Sequence, residues 1–197
     1  DLDAGALVVD VRTDLQFDGS HVPGAVGITA LRAGFGSKLA WIARPGEPIV
    51  LVGRDDAEAL HAAELAHAVG VRAIAGYLAG GMTSWHEERL PAERIERIDV
   101  AALGELARRD GARILDVRER AEWEEGHIPG SPHVPYHDIT GLPEGLAPAR
   151  PVAAICASGQ RSAVAASLLQ RHGAERVLHV VGGGVGTWAE LGLPIER

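Results

Sequence analysis

The segment Ile155-Cys156-Ala157-Ser158-Gly159-Gln160-Arg161-Ser162 gathers the residue types that a thiolate nucleophile needs. An apolar run, Val152 to Ile155, precedes the chain's single cysteine. The periodicity that follows puts Val164, Ala165, Leu168 and Leu169 on one face and predicts a helix over Arg161 to His172. A thiol at such a junction faces the unpaired N–H groups and the positive dipole end of the first helical turn. Those surroundings lower a cysteine pKa and favour the attacking thiolate form. Ser158 and Gly159 permit a tight loop whose successive N–H groups turn inward as an anion cradle. Arg161 closes that loop with a permanent positive charge. Residue chemistry alone supports an anion-binding loop around a nucleophilic sulfur, with an inert core thiol as the bland alternative.

The elements that position this loop occur twice. Leu7-Val8-Val9-Asp10-Val11-Arg12 returns as Arg113-Ile114-Leu115-Asp116-Val117-Arg118, and His21-Val22-Pro23-Gly24 as His127-Ile128-Pro129-Gly130, both at an offset of 106 residues. Further on the offset is 103: Gly80-Gly81 answers Gly183-Gly184, Trp85 answers Trp188, and Leu90-Pro91 answers Leu193-Pro194. A repeat of this length implies two homologous domains. They are expected at 1–93 and 99–197, joined by a linker over Ala92 to Asp99. Short β-branched runs alternate with helical patterns in each copy. That alternation predicts an α/β fold, a small central parallel sheet with helices on both faces. Strands are expected at Arg113–Val117, Val152–Ile155 and Val177–Val181, and at Pro48–Val52 in the first copy. Helices are expected at Ala101–Arg109, Glu119–Glu125 and around Thr187–Leu191. In the first copy Ala57–Val69 should be helical, with Ala62, Leu65, Ala66 and Val69 inward. The first copy begins immediately before Leu7, so its leading helix is expected to be missing. Asp1-Leu2-Asp3-Ala4-Gly5 is no signal peptide, and with Met82 the only methionine, a piece of a longer protein is expected.

Composition excludes several classes. The chain has 197 residues, 46% of them hydrophobic and 23% charged, which is ordinary for a folded protein and unlike a disordered one. The net charge of −8 argues against a general nucleic-acid surface, and 4% aromatics against a stacking platform for single strands. No apolar run approaches the length of a membrane span. One cysteine allows neither an internal disulfide nor a multi-cysteine zinc site. No metal, cofactor, nucleic-acid or membrane partner is expected, and the expected compartment is the cytoplasm.

Taken together, Asp116-Val117-Arg118, Glu122, Gly126-His127-Ile128-Pro129-Gly130, the loop Cys156–Arg161, and Gly183-Gly184 with Trp188 make the chain resemble a tandem pair of rhodanese (sulfurtransferase) domains. The resemblance implies that Cys156 accepts and donates sulfur through a persulfide. It also implies that Ala157, Ser158, Gly159, Gln160, Arg161 and Ser162 bind the substrate sulfur, with Arg161 favouring anionic donors such as thiosulfate. The implied partners are small sulfur anions or low-molecular-weight thiols. The chain further resembles the C-terminal part of bacterial fusions in which a metallo-β-lactamase-fold domain, often a persulfide dioxygenase, precedes two rhodanese domains, which implies such a domain, fused or separate, as a partner. Leu39-Ala40-Trp41-Ile42 and Tyr77-Leu78-Ala79-Gly80-Gly81 carry that likeness.

The first copy departs at the decisive loop, where Gly53 stands opposite Cys156 and Glu58 opposite Arg161. Gly53-Arg54-Asp55-Asp56-Ala57-Glu58 has no thiol and three carboxylates, so this copy is expected to be catalytically silent. Residues shared by both copies read as structural: His21, His127, and the pairs Asp10/Arg12 and Asp116/Arg118, expected to engage loop backbone or Glu122. His133, His137 and His179 lack metal-ligand spacing. Gly182-Gly183-Gly184 is no dinucleotide fingerprint. Three function classes remain: a sulfurtransferase, a sulfur carrier or regulatory tail that does not turn over, and a cysteine phosphatase or arsenate reductase. The Cys-x4-Arg spacing is one residue shorter than the phosphatase loop and disfavours the last.

Overall fold

In the computed structural model, which describes residues 5–197, the chain divides into two units, one ending at Arg94 and the other spanning Ile95–Arg197. The reading of Asp1 to Ala4, and of any helix before Leu7, lies outside the described residues. In the first unit the order is β1 (Leu7–Asp10), α1 (Asp14–Gly19), β2 (Val26–Gly27), α2 (Phe35–Ile42), β3 (Ile49–Val52), α3 (Asp56–Ala68), β4 (Ile74–Tyr77) and α4 (Gly81–Glu87). The second unit runs β5 (Glu96–Asp99), α5 (Val100–Arg108), β6 (Arg113–Asp116), α6 (Arg120–Glu125), a 3-10 turn (Tyr136–Asp138), β7 (Val152–Ile155), α7 (Gln160–Arg171), β8 (Val177–Val181) and α8 (Val185–Glu190).

Each unit is built on a four-stranded parallel sheet, ordered β2-β1-β3-β4 in the first and β5-β8-β7-β6 in the second. The expected α/β class is what the sheets show. Strands buried on both faces have no polar alternation, which is why β7 reads as an unbroken apolar run and β1 as one up to its last residue, the buried Asp10. Alternate residues of a strand point to opposite faces. In the second unit Ile114, Ala153, Ile155, Leu178 and Val180 share one apolar cluster with Leu103 and Trp188. The residues between them, including His179, lie toward the opposite face, where α7 packs.

Three expectations are corrected. Glu96–Asp99 is no linker but an edge strand pairing with β8, and only Ile98 of the four is buried. One inward side chain in a charged tetrapeptide gives too little pattern to reveal a strand. In α3 the buried alanines are Ala59, Ala62 and Ala66; Leu65 is half-buried and Val69 lies past the helix end, 49% exposed. The last helix begins two residues earlier than expected, at Val185, whose N–H bonds the Cys156 carbonyl.

Candidate active site

Ligand-binding loops of open parallel sheets gather at the carboxyl ends of the strands. Cys156 follows the last residue of β7 and precedes α7, whose N-cap is Gly159. Gly159 adopts φ +91°, a left-handed conformation that favours glycine, and this turns its N–H onto Cys156 Sγ at 3.1 Å. The thiol is 1% exposed. Burial pushes its pKa up, yet the Ser162 hydroxyl and the amides of Ser158, Ser162 and Gly159 outweigh it, leaving the thiol below the ordinary cysteine value. Ser162 Oγ lies 3.5 Å from Sγ and 3.2 Å from the Val180 carbonyl. Its one proton serves either acceptor, so ionisation of the thiol turns the hydroxyl toward sulfur.

Two supports hold the loop from below. Gly184 sits so close that a Cβ there would lie 1.9 Å from the Cys156 carbonyl oxygen and 2.6 Å from Ala157, which explains the glycine-rich motif. His179 Nε2 lies 2.8 Å from the Gly159 carbonyl; an oxygen acceptor means that this ring nitrogen carries the proton. The residue whose N–H meets the sulfur is thus held through its C=O by a buried imidazole. His179, set aside in the sequence for lack of metal spacing, is a positioning residue for the loop. Its signal lay in the repeat, because the first copy has Gly76 at that place.

Arg161 does not extend a bare charge toward the loop. Both its terminal nitrogens bond the Glu122 carboxylate, one to Oε2 and one to Oε1 at 2.8 Å, and Glu119 Oε1 stands 4.0 Å away. Hydrogen bonds from Arg161 hold the Glu122 carboxyl below the usual carboxylate range, against the opposing effect of burial, and Glu122 in turn raises Arg161. Around this pair lie Glu119, which meets His137 Nε2 at 3.2 Å, and Asp138, 3.0 Å from His137 Nδ1. Tyr136 lies within the field of Glu119 and Arg161; burial first, then Glu119, push its hydroxyl up to about 12, so it keeps its proton. None of Glu119, Tyr136, His137 and Asp138 was singled out for this place by local pattern.

Asp116 and Arg118 form a buried fork: Nε and Nη2 of the arginine meet the two carboxylate oxygens at 2.6–3.0 Å, and Nη2 also bonds the Gly126 carbonyl. Asp10 and Arg12 repeat this arrangement with Ser20 as the backbone acceptor. Of the two partners expected for these pairs, the arginines take the loop backbone, at Gly126 and Ser20, whereas Glu122 belongs to Arg161. His127 stacks on Trp123 and His21 on Phe17, again alike in both units.

The first unit's loop is closed on itself. Glu58, largely buried, accepts from the Arg54 N–H at 2.7 Å and from Arg54 Nε at 3.0 Å, while Asp55 caps the Glu58 N–H at 2.8 Å. A Cβ at Gly53 would lie 2.7 Å from the Asp55 carbonyl and 2.9 Å from the Ala59 nitrogen. The backbone there has no room for a side chain, and a carboxylate takes the amide that an anion would need.

Fold and loop define a class, an α/β domain with a cysteine in an amide cradle, present once complete and once without the thiol. The chain belongs to the rhodanese family: the model described as Rhodanese-like domain matches residues 1–88 and again 99–191. It is 35% identical over 102 residues to a protein of Allochromatium vinosum named "Sulfurtransferase", over 51% of this chain and 94% of that one. Over 70 residues it is 40% identical to YrkF of Bacillus subtilis, provisionally named a sulfur carrier protein, across 36% of this chain; this match spans only 38% of YrkF. The crystal structure of a rhodanese-related protein from Thermoplasma volcanium is 32% identical, covering 51% of this chain and 97% of that one, with a TM-score of 0.45. Among the described residues no helix is long and apolar enough to cross a membrane.

Proposed function

We propose that the chain is a sulfurtransferase that carries one sulfane sulfur at a time on Cys156, with Ala157 to Ser162 as the cradle. One observation carries this reading: the Gly159 N–H meets Cys156 Sγ at 3.1 Å, in a loop whose amides and Ser162 hydroxyl favour the thiolate. In the first half-reaction the thiolate attacks the outer sulfur of a donor R–S–SH. The donor S–S bond breaks, a Cys156–S–SH bond forms, and R–S⁻ leaves. In the second, an acceptor thiolate attacks the outer sulfur and Cys156 departs as thiolate, stabilised by the same amides. Two covalent half-reactions of this kind give ping-pong kinetics. The sulfurtransferase name of the Allochromatium relative supports the assignment.

The first unit is the catalytically silent partner, since Gly53 offers neither sulfur nor space and Glu58 fills the amide. A phosphatase reading loses support from Arg161, whose two terminal nitrogens are taken end-on by Glu122, so a tetrahedral oxyanion would meet a guanidinium already paired with a carboxylate. A carrier that loads sulfur without turning over is supported by the name of the Bacillus relative. Intact-mass measurement after incubation with sulfane donors tests the main reading. The wild type should gain one sulfur atom and Cys156→Ala none. Addition of a thiol acceptor should discharge the sulfur repeatedly in an enzyme and once in a carrier.

A further inference from the structure

We infer that the mouth of the Cys156 loop selects its donor by charge, taking sulfur from persulfides of ammonium-bearing small thiols in preference to the thiosulfate dianion. This rests on the sulfur-transfer reading and names the substrate class of that same site. Arg161, Arg118 and His137 are each paired. Arg161 gives both terminal nitrogens to Glu122, and Arg118 is forked on Asp116 and the Gly126 carbonyl. His137 stands between Glu119 and Asp138. Each brings a carboxylate or carbonyl with it, so a sulfonate meets paired rather than bare positive charge. The partly exposed side chains that join these contacts are three carboxylates, Glu119, Glu122 and Asp138, against one guanidinium and one imidazole.

The chemistry runs against thiosulfate for the same reason. Its loading requires a thiolate to attack a dianion, forming Cys156–S–S⁻ and releasing sulfite, with three negative charges beside an acidic rim. A persulfide R–S–SH delivers the same sulfur while R–S⁻ leaves, and an ammonium on R is drawn to Glu119 and Asp138. In water, one pair of unit charges about 8 Å apart changes a rate by about twofold. Reversing a donor's charge from −1 to +1 against this rim therefore changes loading about tenfold.

The persulfides of cysteamine (cationic) and 3-mercaptopropionate (anionic), together with thiosulfate, isolate the effect. The rate of sulfur gain on Cys156 is read by intact mass, each donor normalised to its reaction with a free small thiol. Expected are a cation-to-anion ratio of about ten at low ionic strength, its collapse at high salt, and slowest loading from thiosulfate. Glu119→Gln with Asp138→Asn should lower the ratio about threefold or more. A ratio near one, an unchanged ratio in the double variant, or thiosulfate loading as fast as the cationic persulfide overturns the inference while leaving sulfur transfer standing. No sulfur gain from any donor overturns the sulfur-transfer reading itself, and this inference with it.

Discussion

The Glu122 carboxylate holds both terminal nitrogens of Arg161, and the first copy has exchanged both members, carrying Gln16 and Glu58 at the matching positions. The same divergence runs through the rest of the site: Gly53 for Cys156, Ala59 for Ser162 and Gly76 for His179. The buried fork of Asp116 and Arg118 is kept as Asp10 and Arg12. What the two units share builds the sheet and its loops, and what they do not share surrounds the sulfur.

The sulfur itself titrates early. Alkylation of Cys156, followed against pH, should show its inflection below the 9.0 of an ordinary thiol. Ser162→Ala removes the hydroxyl donor and should move that inflection toward higher pH, because fewer groups stabilise the thiolate. An unchanged inflection would mean that the amides alone set it.

His179 acts through Gly159. Replacing it by Leu takes a donor from the Gly159 carbonyl, which keeps only the Ala163 N–H, and should cost about 1 kcal/mol in denaturant unfolding. The alkylation inflection should also rise, and His179→Gln, which restores an N–H donor, should recover part of it. Loss of stability with no change in the titration would confine His179 to packing.

A thiol cannot be grafted onto the first unit by one substitution. Gly53→Cys is expected to gain no sulfur in the intact-mass assay. Crowding against the Asp55 carbonyl and the Ala59 nitrogen should also destabilise that unit by about 1–3 kcal/mol. Sulfur loading at residue 53 would show that the loop reopens and that the first unit is silent only for want of a thiol.

Acid should separate Glu122 from Arg161. The folded carboxyl titrates below its ordinary 4.5, so the pair contributes stability at neutral pH, and that contribution is lost as pH falls through the lowered value. Glu122→Gln should be less stable than wild type near neutrality and converge with it in strong acid. Parallel stability curves across that range would show that the ion pair adds nothing net, as many partly exposed pairs do.

The sequence by itself determined that an α/β domain is duplicated, that one copy has lost its thiol, and that Cys156 stands where a buried strand meets a helix. Each is encoded by short-range periodicity, by the offsets of 106 and 103 residues, or by one residue's identity. Only the tertiary structure decided that Arg161 belongs to Glu122, 39 residues away, and that His179 holds the Gly159 carbonyl from 20 residues away. The same holds for the edge strand Glu96–Asp99, which forms only because β8 offers it a ladder. Such pairings depend on strand order and on which face a side chain takes, and no local pattern encodes either.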